Sequence, residues 1–555
     1  MDHTITWRIR FAHVILAMSM LVMGACGIIY EYTLGVMGNN LMGSSREQIF
    51  VVIGLMMFSM GLGAALQQRL VNNLIDHFLL IELLLGLVGG VSTLAIFASF
   101  AWTDSYRLVM YSFVLTIGAL IGCEIPLLIR INSKYMISLR HNLSVILCMD
   151  YVGSLIGALL FAYVLLARMS LERISLILGC VNTLLAMGGL LFFWPMVRRR
   201  HVLAAGCCCS LMILGTTAFK ADVWTIRLEQ RCFEDPVVHS ETTTYQHLVL
   251  THSRPRNRLR LYIDGHLQFS SKDEAIYHEL LVHVPMAAAA SHQRVLILGG
   301  GDGLALREVL RFGDVRSVTL VDIDPAMIRL SSEHPEMILL NRAAFHDARV
   351  HARVGKGIGP GETTVIKCRT KRHPLIDRTE YKLAEVRVFT VDADLFVSDV
   401  TDKYDVVIID FPDPRTVELA KLYSVEFYRA LAQRLAPGAT VAIQSTDPNR
   451  AARAFSCIGR TLEAAGFRRL PYHDHVPSFG EWGWYLAWRG GETEAQMRNR
   501  LWNLESLSVE TTYVTPDVIN AAFVFGKRSP ALYGAVRANT KMRPVIMHYY
   551  SLGFE

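Results

Sequence analysis

The distribution of apolar and polar residues divides the chain near residue 220. Before that point, apolar runs approach or exceed the length of about 20 residues that a helix needs to cross a bilayer. There are seven such runs, near 11–34, 48–66, 76–101, 108–130, 143–167, 172–195 and 202–219, and the last is the weakest because it is short and rich in small residues. This pattern predicts an α-helical transmembrane bundle of about seven spans.

After residue 220, shorter segments predict a globular half. "TTYQHLVLTH" and "RLRLYIDGHLQFSS" alternate apolar and polar residues around an "IDG" turn, which indicates a small antiparallel sheet. "RVLILGGG", "GLALREVLRF" and "SVTLVDIDP" then read as strand, helix and strand, and "YDVVIIDFPDP" and "GATVAIQSTDP" follow. Apolar strands separated by helices favour a Rossmann-like α/β domain with a parallel sheet, whose strand carboxyl ends bind ligands.

These signals predict four parts. They are a multi-pass transmembrane domain (1–220), a small antiparallel β domain (221–290), a Rossmann-like domain (291–490) and a C-terminal extension (491–555). A basic stretch at about 351–382, with "KCRTKRH", interrupts the third part. We interpret it as a surface insertion, with contact to anionic lipid as the alternative.

Composition excludes several classes of function. Hydrophobic residues make up 52% and charged residues 19% of the 555 residues, and the net charge of +6 is small and forms no long stripe. Nucleic acid is therefore not an expected partner. The ten cysteines include no CxxC pair, so neither a disulfide scaffold nor a zinc site is predicted.

The loop charges leave the membrane topology open. With the N-terminus inside, nine Lys and Arg residues lie on the inner side and four on the outer side, which favours that orientation. Seven spans would then place the globular half outside, unless the last run does not cross. We expect an inner (plasma) membrane protein whose globular half faces the cytoplasm.

Four acidic residues lie within the apolar runs: Glu31, Glu82, Glu124 and Asp150. A carboxylate in hydrocarbon is costly and usually faces a bundle interior. They indicate either a cation or polyamine path through the membrane or structural carboxyl groups that are protonated or paired, and the second interpretation is favoured.

The glycine turn after the first Rossmann-like strand contains an unusual acid, Asp302. Its charge would repel the pyrophosphate of a dinucleotide and the carboxylate of S-adenosylmethionine, and it would attract an ammonium group. Such a charge-assisted hydrogen bond contributes about 1.5–3 kcal/mol, and a tenfold change in affinity needs only about 1.4 kcal/mol. The turn therefore predicts a ligand that ends in an amine.

Further acids follow the other strands. Asp322 ends the second strand, where adenosyl-binding folds hold the ribose hydroxyls, although a solvated acid would also fit there. Asp392 in "TVDADLF" is placed to accept from an adenine amino group. Asp410 and Asp413 in "IIDFPDP" are expected to make the pocket selective for amines, with a turn cap as the alternative for this pair.

Several motifs together resemble the polyamine aminopropyltransferases (spermidine synthases), and in particular their multi-pass membrane-fused branch. The globular half carries "LYIDGHLQFSSKDEAIYHELLVHVP", "LILGGGDGLALREVL", "VDIDP", "VDADLF", "DVVIIDFPDP" and "VPSFGEWGW", and the first half carries "GACGIIYEY" and "DYVGSLIGALLF". The resemblance implies a class I methyltransferase-like fold, often dimeric. It also implies decarboxylated S-adenosylmethionine as co-substrate, no permanently bound cofactor, no metal, and putrescine as the usual acceptor, giving spermidine and methylthioadenosine.

The resemblance also implies roles for individual residues. Those expected to hold the donor are Gln246, Gly299, Gly301, Asp322, Asp392 and Ala393. Those expected to contact amines are Tyr277, His278, Asp302 and Asp413, and Asp410 is expected to accept the proton. Family members often continue the DxxDP signature with "xGPA", whereas this chain continues with "RTVELAKLYS".

Two alternatives stay open at this point. A membrane-anchored S-adenosylmethionine-dependent methyltransferase would share the fold, and Asp302 is the main feature against it. A polyamine sensor or transporter would use the globular half only for binding, and the Asp410–Asp413 pair argues against that.

Overall fold

The computed structural model describes residues 3–42, 47–103, 105–133, 139–346, 385–526 and 536–553. The predicted basic insertion, 351–382, lies outside these residues. The chain divides into two compact units, Met1–Pro236 and Val237–Glu555. Each unit is described by itself.

The first unit consists of long helices. They are α1 His3–Met42, α2 Glu47–Leu66, α3 Leu74–Trp102, α4 Tyr106–Asn132, α5 Leu139–Leu160, α6 Leu171–Phe192 and α7 Arg200–Cys232. A π-helical turn, Phe161–Leu165, and the short Leu166–Arg168 prolong α5. Seven segments of these helices are long and apolar enough to cross a membrane, which confirms the predicted number.

Small residues allow these helices to approach closely. A Cβ atom on Gly122 of α4 would lie 2.0 Å from the carbonyl oxygen of Met60 in α2, and one on Gly153 of α5 would lie 1.9 Å from that of Leu21 in α1. Such backbone contact is typical of helix pairs in membranes, where van der Waals packing replaces the hydrophobic effect as the driving force.

The second unit begins with a four-stranded antiparallel sheet. Its strands, in spatial order, are β1 Val237–Thr242, β2 His247–Ser253, β3 Arg258–Ile263 and β4 His266–Ser270. Asp264 and Gly265 link β3 to β4 with φ values of 50° and 77°. Two consecutive positive φ angles are the signature of a type I′ hairpin turn, so the "IDG" segment forms the predicted turn.

A seven-stranded mixed sheet follows. Its strands are β5 Arg294–Gly299, β6 Ser317–Asp322, β7 Glu385–Thr390, β8 Tyr404–Asp410, β9 Leu435–Gln444, β10 Arg468–Val476 and β11 Gly480–Trp488, in the order β10-β11-β9-β8-β5-β6-β7. The strands from β9 to β7 are parallel, as predicted. β11 runs antiparallel to both of its neighbours, β10 and β9. A short turn joins β10 directly to β11 and leaves no room for the crossover helix that a parallel pair would need.

Helices cover both faces of this sheet. They are α8 Glu274–Ala288, α9 Leu304–Val309, α10 Pro325–Glu333, α11 Pro335–Leu340, α12 Ala393–Asp399, α13 Val417–Ala420, α14 Val425–Ala432, α15 Ala452–Ala464, α16 Glu494–Trp502, α17 Pro516–Ala522 and α18 Val545–Ser551. Alternate residues of β5 enter separate cores, with Ile297 in one and Leu298 in the other. The period of two along the strand thus accounts for the two helical layers.

The strand order identifies where the unit binds a ligand. From β5 the chain proceeds to β6 and β7 on one side, and it then returns to β8 and β9 on the other. The crevice between the carboxyl ends of β5 and β8 is therefore the topological switch point, where open α/β sheets bind their ligands.

Candidate active site

The glycine turn and the DxxD segment meet at this switch point. Gly299 of β5 is the register partner of Asp410 of β8. Gly299 has a φ of +84°, and a Cβ atom there would lie 2.1 Å from the carbonyl oxygen of Asp410. Only glycine combines that backbone conformation with so close an approach, so Gly299 sets the distance between the two motifs.

Asp302 projects from the same turn toward α8. Its Oδ1 accepts a hydrogen bond from the Leu304 backbone N–H at 2.9 Å, and its Oδ2 lies 3.8 Å from His278 Nε2. One ligand atom each from His278, Asp302 and Asp410 lie within 4.8 Å of one another. The structure thus brings together three residues that are far apart in the sequence.

His278 is fixed from behind by an acid. Its Nδ1 donates to the Glu274 backbone carbonyl at 2.8 Å and to Glu274 Oε2 at 3.0 Å. Burial alone would lower the pKa of His278, but the hydrogen bond to Glu274 and the charge of Asp302 raise it to about 9. His278 is therefore a cation at neutral pH.

Glu274 itself is held by Arg307. The two guanidinium Nη atoms donate to the two carboxylate oxygens, each at 2.9 Å, and both side chains are 8% exposed. Burial would raise the pKa of Glu274, but the contacts with His278 and Arg307 lower it to about 2. The sequence analysis missed both residues. The four-residue spacing of Glu274 and His278 on one helix was a usable signal, whereas the contact with Arg307 depends on packing between two helices.

Tyr277 orients the expected proton acceptor. Its hydroxyl group donates to Asp410 Oδ1 at 2.6 Å. The ring lies among Phe479, Trp482 and Trp484, with centroid distances of 6.2, 6.3 and 5.6 Å. Burial and the charge of Asp410 raise the pKa of Tyr277, so the phenol stays a donor to this carboxylate.

The end of β6 forms a second polar region. Asp322 accepts at 2.9 Å from the Gly301 backbone N–H and at 2.9 Å from that of Asp324. A Cβ atom on Gly301 would lie 2.5 Å from Asp322 Oδ2, so the turn admits no larger residue without movement. Burial raises the pKa of Asp322 to about 6, although its backbone hydrogen bonds act in the opposite direction.

The β1–β2 turn, which contains Gln246, lies beside this strand end. The Thr243 hydroxyl donates to Asp324 Oδ2 at 2.9 Å and accepts from the Gln246 backbone N–H at 3.0 Å. Two residues remote in sequence, Gln246 and Asp322, are therefore joined by a short chain of hydrogen bonds through Asp324 and Thr243. This is the neighbourhood that the predicted role of Gln246 requires.

Asp392 is already engaged by the protein. Its Oδ1 caps α12 by accepting from the Asp394 backbone N–H at 2.8 Å, and its Oδ2 accepts from the Lys421 ammonium. Ala393, the first residue of the helix, is 7% exposed. Lys421 was missed, because no local pattern links it to a residue 29 positions away.

Asp413 is the more deeply buried acid of the DxxD pair, with 7% exposure. Its Oδ1 accepts from Gln444 Nε2 at 2.8 Å, and its Oδ2 accepts from the Tyr550 hydroxyl at 2.8 Å. Gln444 lies in the strand motif "AIQSTDP", but Tyr550 belongs to the C-terminal extension, to which the sequence analysis assigned no chemistry.

Burial also affects the acid in the glycine turn. It raises the pKa of Asp302 to about 6, and the charge of Asp410 acts in the same direction, while His278 and the Leu304 N–H oppose them. Asp302 therefore becomes more than half protonated below about pH 6, and its cationic neighbour His278 helps to keep it ionised at neutral pH.

Comparisons with known proteins identify the family of this chain. The Spermine/spermidine synthase domain matches residues 274–360 and 363–499. Polyamine aminopropyltransferase 1 of Streptomyces coelicolor is 36% identical over 550 residues, covering 97% of this chain and 94% of that protein. The polyamine aminopropyltransferase of Oceanobacillus iheyensis is 32% identical over 542 residues, covering 96% of each.

Among solved structures, the spermidine synthase of Thermotoga maritima aligns with 52% of this chain and 84% of its own, with a TM-score of 0.40 and 21% identity. The near full-length relatives decide the assignment, and they confirm the resemblance that the motifs indicated. The chain is an enzyme that belongs to the polyamine aminopropyltransferase family.

Proposed function

We propose that this enzyme transfers the aminopropyl group of decarboxylated S-adenosylmethionine to putrescine, giving spermidine and methylthioadenosine. The observation that carries the proposal is the convergence of His278, Asp302 and Asp410 beside the glycine turn. A donor that ends in an ammonium group is attracted by Asp302, whereas the carboxylate of S-adenosylmethionine is repelled by it.

The donor then extends along the strand ends. Gln246 and Asp322 hold the ribose hydroxyl groups, because Asp322 lies at the end of β6 against the Gly301 N–H. Asp392 and Ala393, at the end of β7, receive the adenine. Gly299 and Gly301 keep the turn flat enough for the ligand to approach the backbone.

The reaction is a direct displacement. The neutral nitrogen of the acceptor attacks the methylene carbon next to the sulfonium, a C–N bond forms, and the C–S bond breaks with its electron pair going to sulfur. Asp410, oriented by Tyr277 at 2.6 Å, takes a proton from the acceptor, which is protonated at neutral pH. General-base help of this kind contributes roughly 10²–10⁴-fold, in addition to the effect of positioning.

The acceptor binds at the second acid of the DxxD segment. Asp413 accepts from two neutral donors, Gln444 and Tyr550. This carboxylate attracts the ammonium at the far end of a diamine while the near amine reacts. The aromatic residues Phe479 and Trp482, which pack near Tyr277, complete an apolar wall for the methylene chain.

The test is a product assay with full-length enzyme in detergent. Decarboxylated and carboxylated S-adenosylmethionine are each offered with putrescine, spermidine, agmatine and cadaverine, and methylthioadenosine and the extended amine are measured by mass spectrometry. We expect turnover with the decarboxylated donor and putrescine, and a loss of about 10²–10⁴-fold in Asp410→Asn.

Asp399→Asn is the matched control, since Asp399 is an exposed acid at the end of α12. It is expected to leave turnover unchanged. Methyl transfer from the carboxylated donor would refute the proposal, and so would full activity of Asp410→Asn. Preference for another amine would correct the acceptor alone.

The seven apolar helices are proposed to anchor the enzyme in the inner membrane, with the catalytic unit in the cytoplasm. An odd number of spans puts the two ends of the helical unit on opposite faces, so this placement requires either an external N-terminus, against the Lys and Arg count, or a last helix that does not cross. Reporter fusions at both ends of the chain test it. The homodimer that the resemblance implies stays a prediction, to be measured by light scattering in detergent.

A further inference from the structure

The C-terminal helix α18 contributes a side chain to the DxxD segment. The Tyr550 hydroxyl donates to Asp413 Oδ2 at 2.8 Å across 137 residues of sequence. Tyr550 is 7% exposed and packs with the core on one face of the seven-stranded sheet. The extension is thus part of the pocket wall.

A buried asparagine fixes the position of this helix. Asn539 is fully buried, and its Nδ2 donates to the carbonyl oxygens of Ala420 and Tyr423 at 2.8 and 3.0 Å. Its backbone N–H donates to Thr461 Oγ1 at 2.9 Å. These contacts join the segment before α18 to the chain that follows the DxxD motif, so Tyr550 is held in register with Asp413.

Tyr550 also contacts a cation, Arg415, which stands two residues after Asp413. The Arg415 Nε donates to the Tyr550 hydroxyl oxygen at 3.1 Å, and the guanidinium lies 5.5 Å from the centroid of the Tyr550 ring. Arg415 Nη2 is 3.7 Å from Asp413 Oδ2, which is an ion-pair distance but too long for a direct hydrogen bond. The hydroxyl therefore stands between the two charges, accepting from one and donating to the other.

Arg415 and Asp413 do not form the bidentate hydrogen-bonded pair that would be the stronger contact between them. Arg415 Nη1 is buried and has no hydrogen-bond partner among the described residues. A direct fork between this guanidinium and the Asp413 carboxylate would satisfy it, and such bidentate pairs are among the strongest hydrogen-bonded contacts. That pairing would neutralise Asp413, and an arriving ammonium would then have to displace an arginine.

We infer that Tyr550 is a positioning residue for the acceptor amine, which prevents a direct hydrogen bond between Arg415 and Asp413 so that the carboxylate can bind the amine. The inference rests on the proposed function, in which Asp413 receives the acceptor. It gives the C-terminal extension a role in binding the acceptor amine.

The experiment is steady-state kinetics of the full-length enzyme in detergent, with acceptor and donor varied separately. Tyr550→Phe removes one oxygen atom and keeps the ring. We expect it to raise the KM for putrescine about tenfold or more, with the KM for the donor unchanged. The double variant Tyr550→Phe with Arg415→Gln is expected to restore the acceptor KM to within about threefold of the wild type, because the competing cation is gone.

Tyr549→Phe is the control, since Tyr549 lies on the same helix and its hydroxyl accepts a long, 3.4 Å contact from the Arg537 N–H. Should Tyr550→Phe not accumulate as folded protein, Arg415→Gln alone decides the matter. The inference expects it to leave the acceptor KM no higher than in the wild type, and a rise of about fivefold would overturn it.

The outcomes separate the two proposals. No turnover of putrescine by the wild type refutes the proposed function and this inference with it. Normal wild-type turnover with an unchanged acceptor KM in Tyr550→Phe refutes the inference alone. A tenfold rise that the second substitution does not reverse also overturns it, because that result would mean that the hydroxyl acts only through local structure.

Discussion

Buried acids of the two units differ in their hydrogen-bond donors. In the catalytic unit, Asp322 accepts from two backbone N–H groups and Asp413 from two side chains. In the helical unit, Glu82 and Glu124 are 0% and 1% exposed and face each other, and neither Glu82 oxygen has a donor outside this pair among the described residues. The catalytic acids are thus built into a network, whereas Glu82 and Glu124 have only each other, although Asp76 of the same unit accepts from two backbone N–H groups.

The difference shows which structural features mark a carboxylate that can bind a cationic ligand. Donors fix the direction of each lone pair and stabilise the charge, so a partnered acid can meet a cationic ligand in a defined geometry. A buried acid without donors has neither property. The partnered acids of the catalytic unit should therefore respond strongly to substitution, and the isolated Glu82–Glu124 pair should respond weakly.

The largest effect is expected where a partnered acid loses its cation. Arg307→Gln leaves Glu274 buried without its bidentate partner, and removal of one member of a buried ion pair costs about 3–5 kcal/mol. The catalytic unit should unfold at clearly lower urea concentration, measured by intrinsic fluorescence of the full chain in detergent. Arg453→Gln, an exposed arginine on α15, is the control. A loss of less than about 1 kcal/mol would show that the Glu274 network is not a stabilising unit.

The second largest effect is expected on the selection between the two donors. Asp302→Asn removes the charge that discriminates between the two forms of S-adenosylmethionine. Binding of the decarboxylated donor should weaken by about 1.5–3 kcal/mol, or roughly 10–100-fold, while the carboxylated form should bind no worse. Isothermal titration with each donor measures both values, with Asp399→Asn as control. Equal weakening of the two donors would contradict the assigned role of Asp302.

The pH dependence should follow the two acids whose pKa values burial raises to about 6, Asp302 and Asp322. Their ionised forms bind the donor, so the favourable interaction is complete above that pH and is lost as pH falls through it. Below about pH 6, kcat/KM for the donor should fall by up to tenfold per pH unit for each acid. In Asp302→Asn, the decrease of kcat/KM with falling pH should become shallower. An unchanged slope would show that Asp302 does not titrate in the free enzyme.

Much of the catalytic unit could be predicted from the sequence because strand ends are local features. The glycine turn, Asp322 and Asp410 all directly follow or end apolar strands, and parallel strands bring their carboxyl ends to one edge. The antiparallel β10–β11 edge was not predicted, since alternation alone does not specify strand direction.

The supporting contacts could not be predicted in the same way. Arg307 reaches Glu274 from another helix, and Tyr550 reaches Asp413 from the end of the chain. Such pairs depend on how whole elements pack, and no local pattern marks them. The sequence separated Asp410 from Glu82 by the motif around it, and the structure adds the donor, because the Tyr277 hydroxyl contacts Asp410.

The smallest effect is expected in the helical unit. Glu82→Gln and Glu124→Gln keep the side-chain volume and remove an acid for which, at Glu82, the described residues supply no hydrogen-bond donor outside the pair. Each should leave turnover within about twofold and change the free energy of unfolding by less than about 0.5 kcal/mol. Thermal melts and the product assay on the same preparations measure both, beside Asp410→Asn as the sensitive case. A large loss of activity or stability in Glu82→Gln would break the comparison, because it would mean that this carboxyl group has a partner or a task of its own within the bundle.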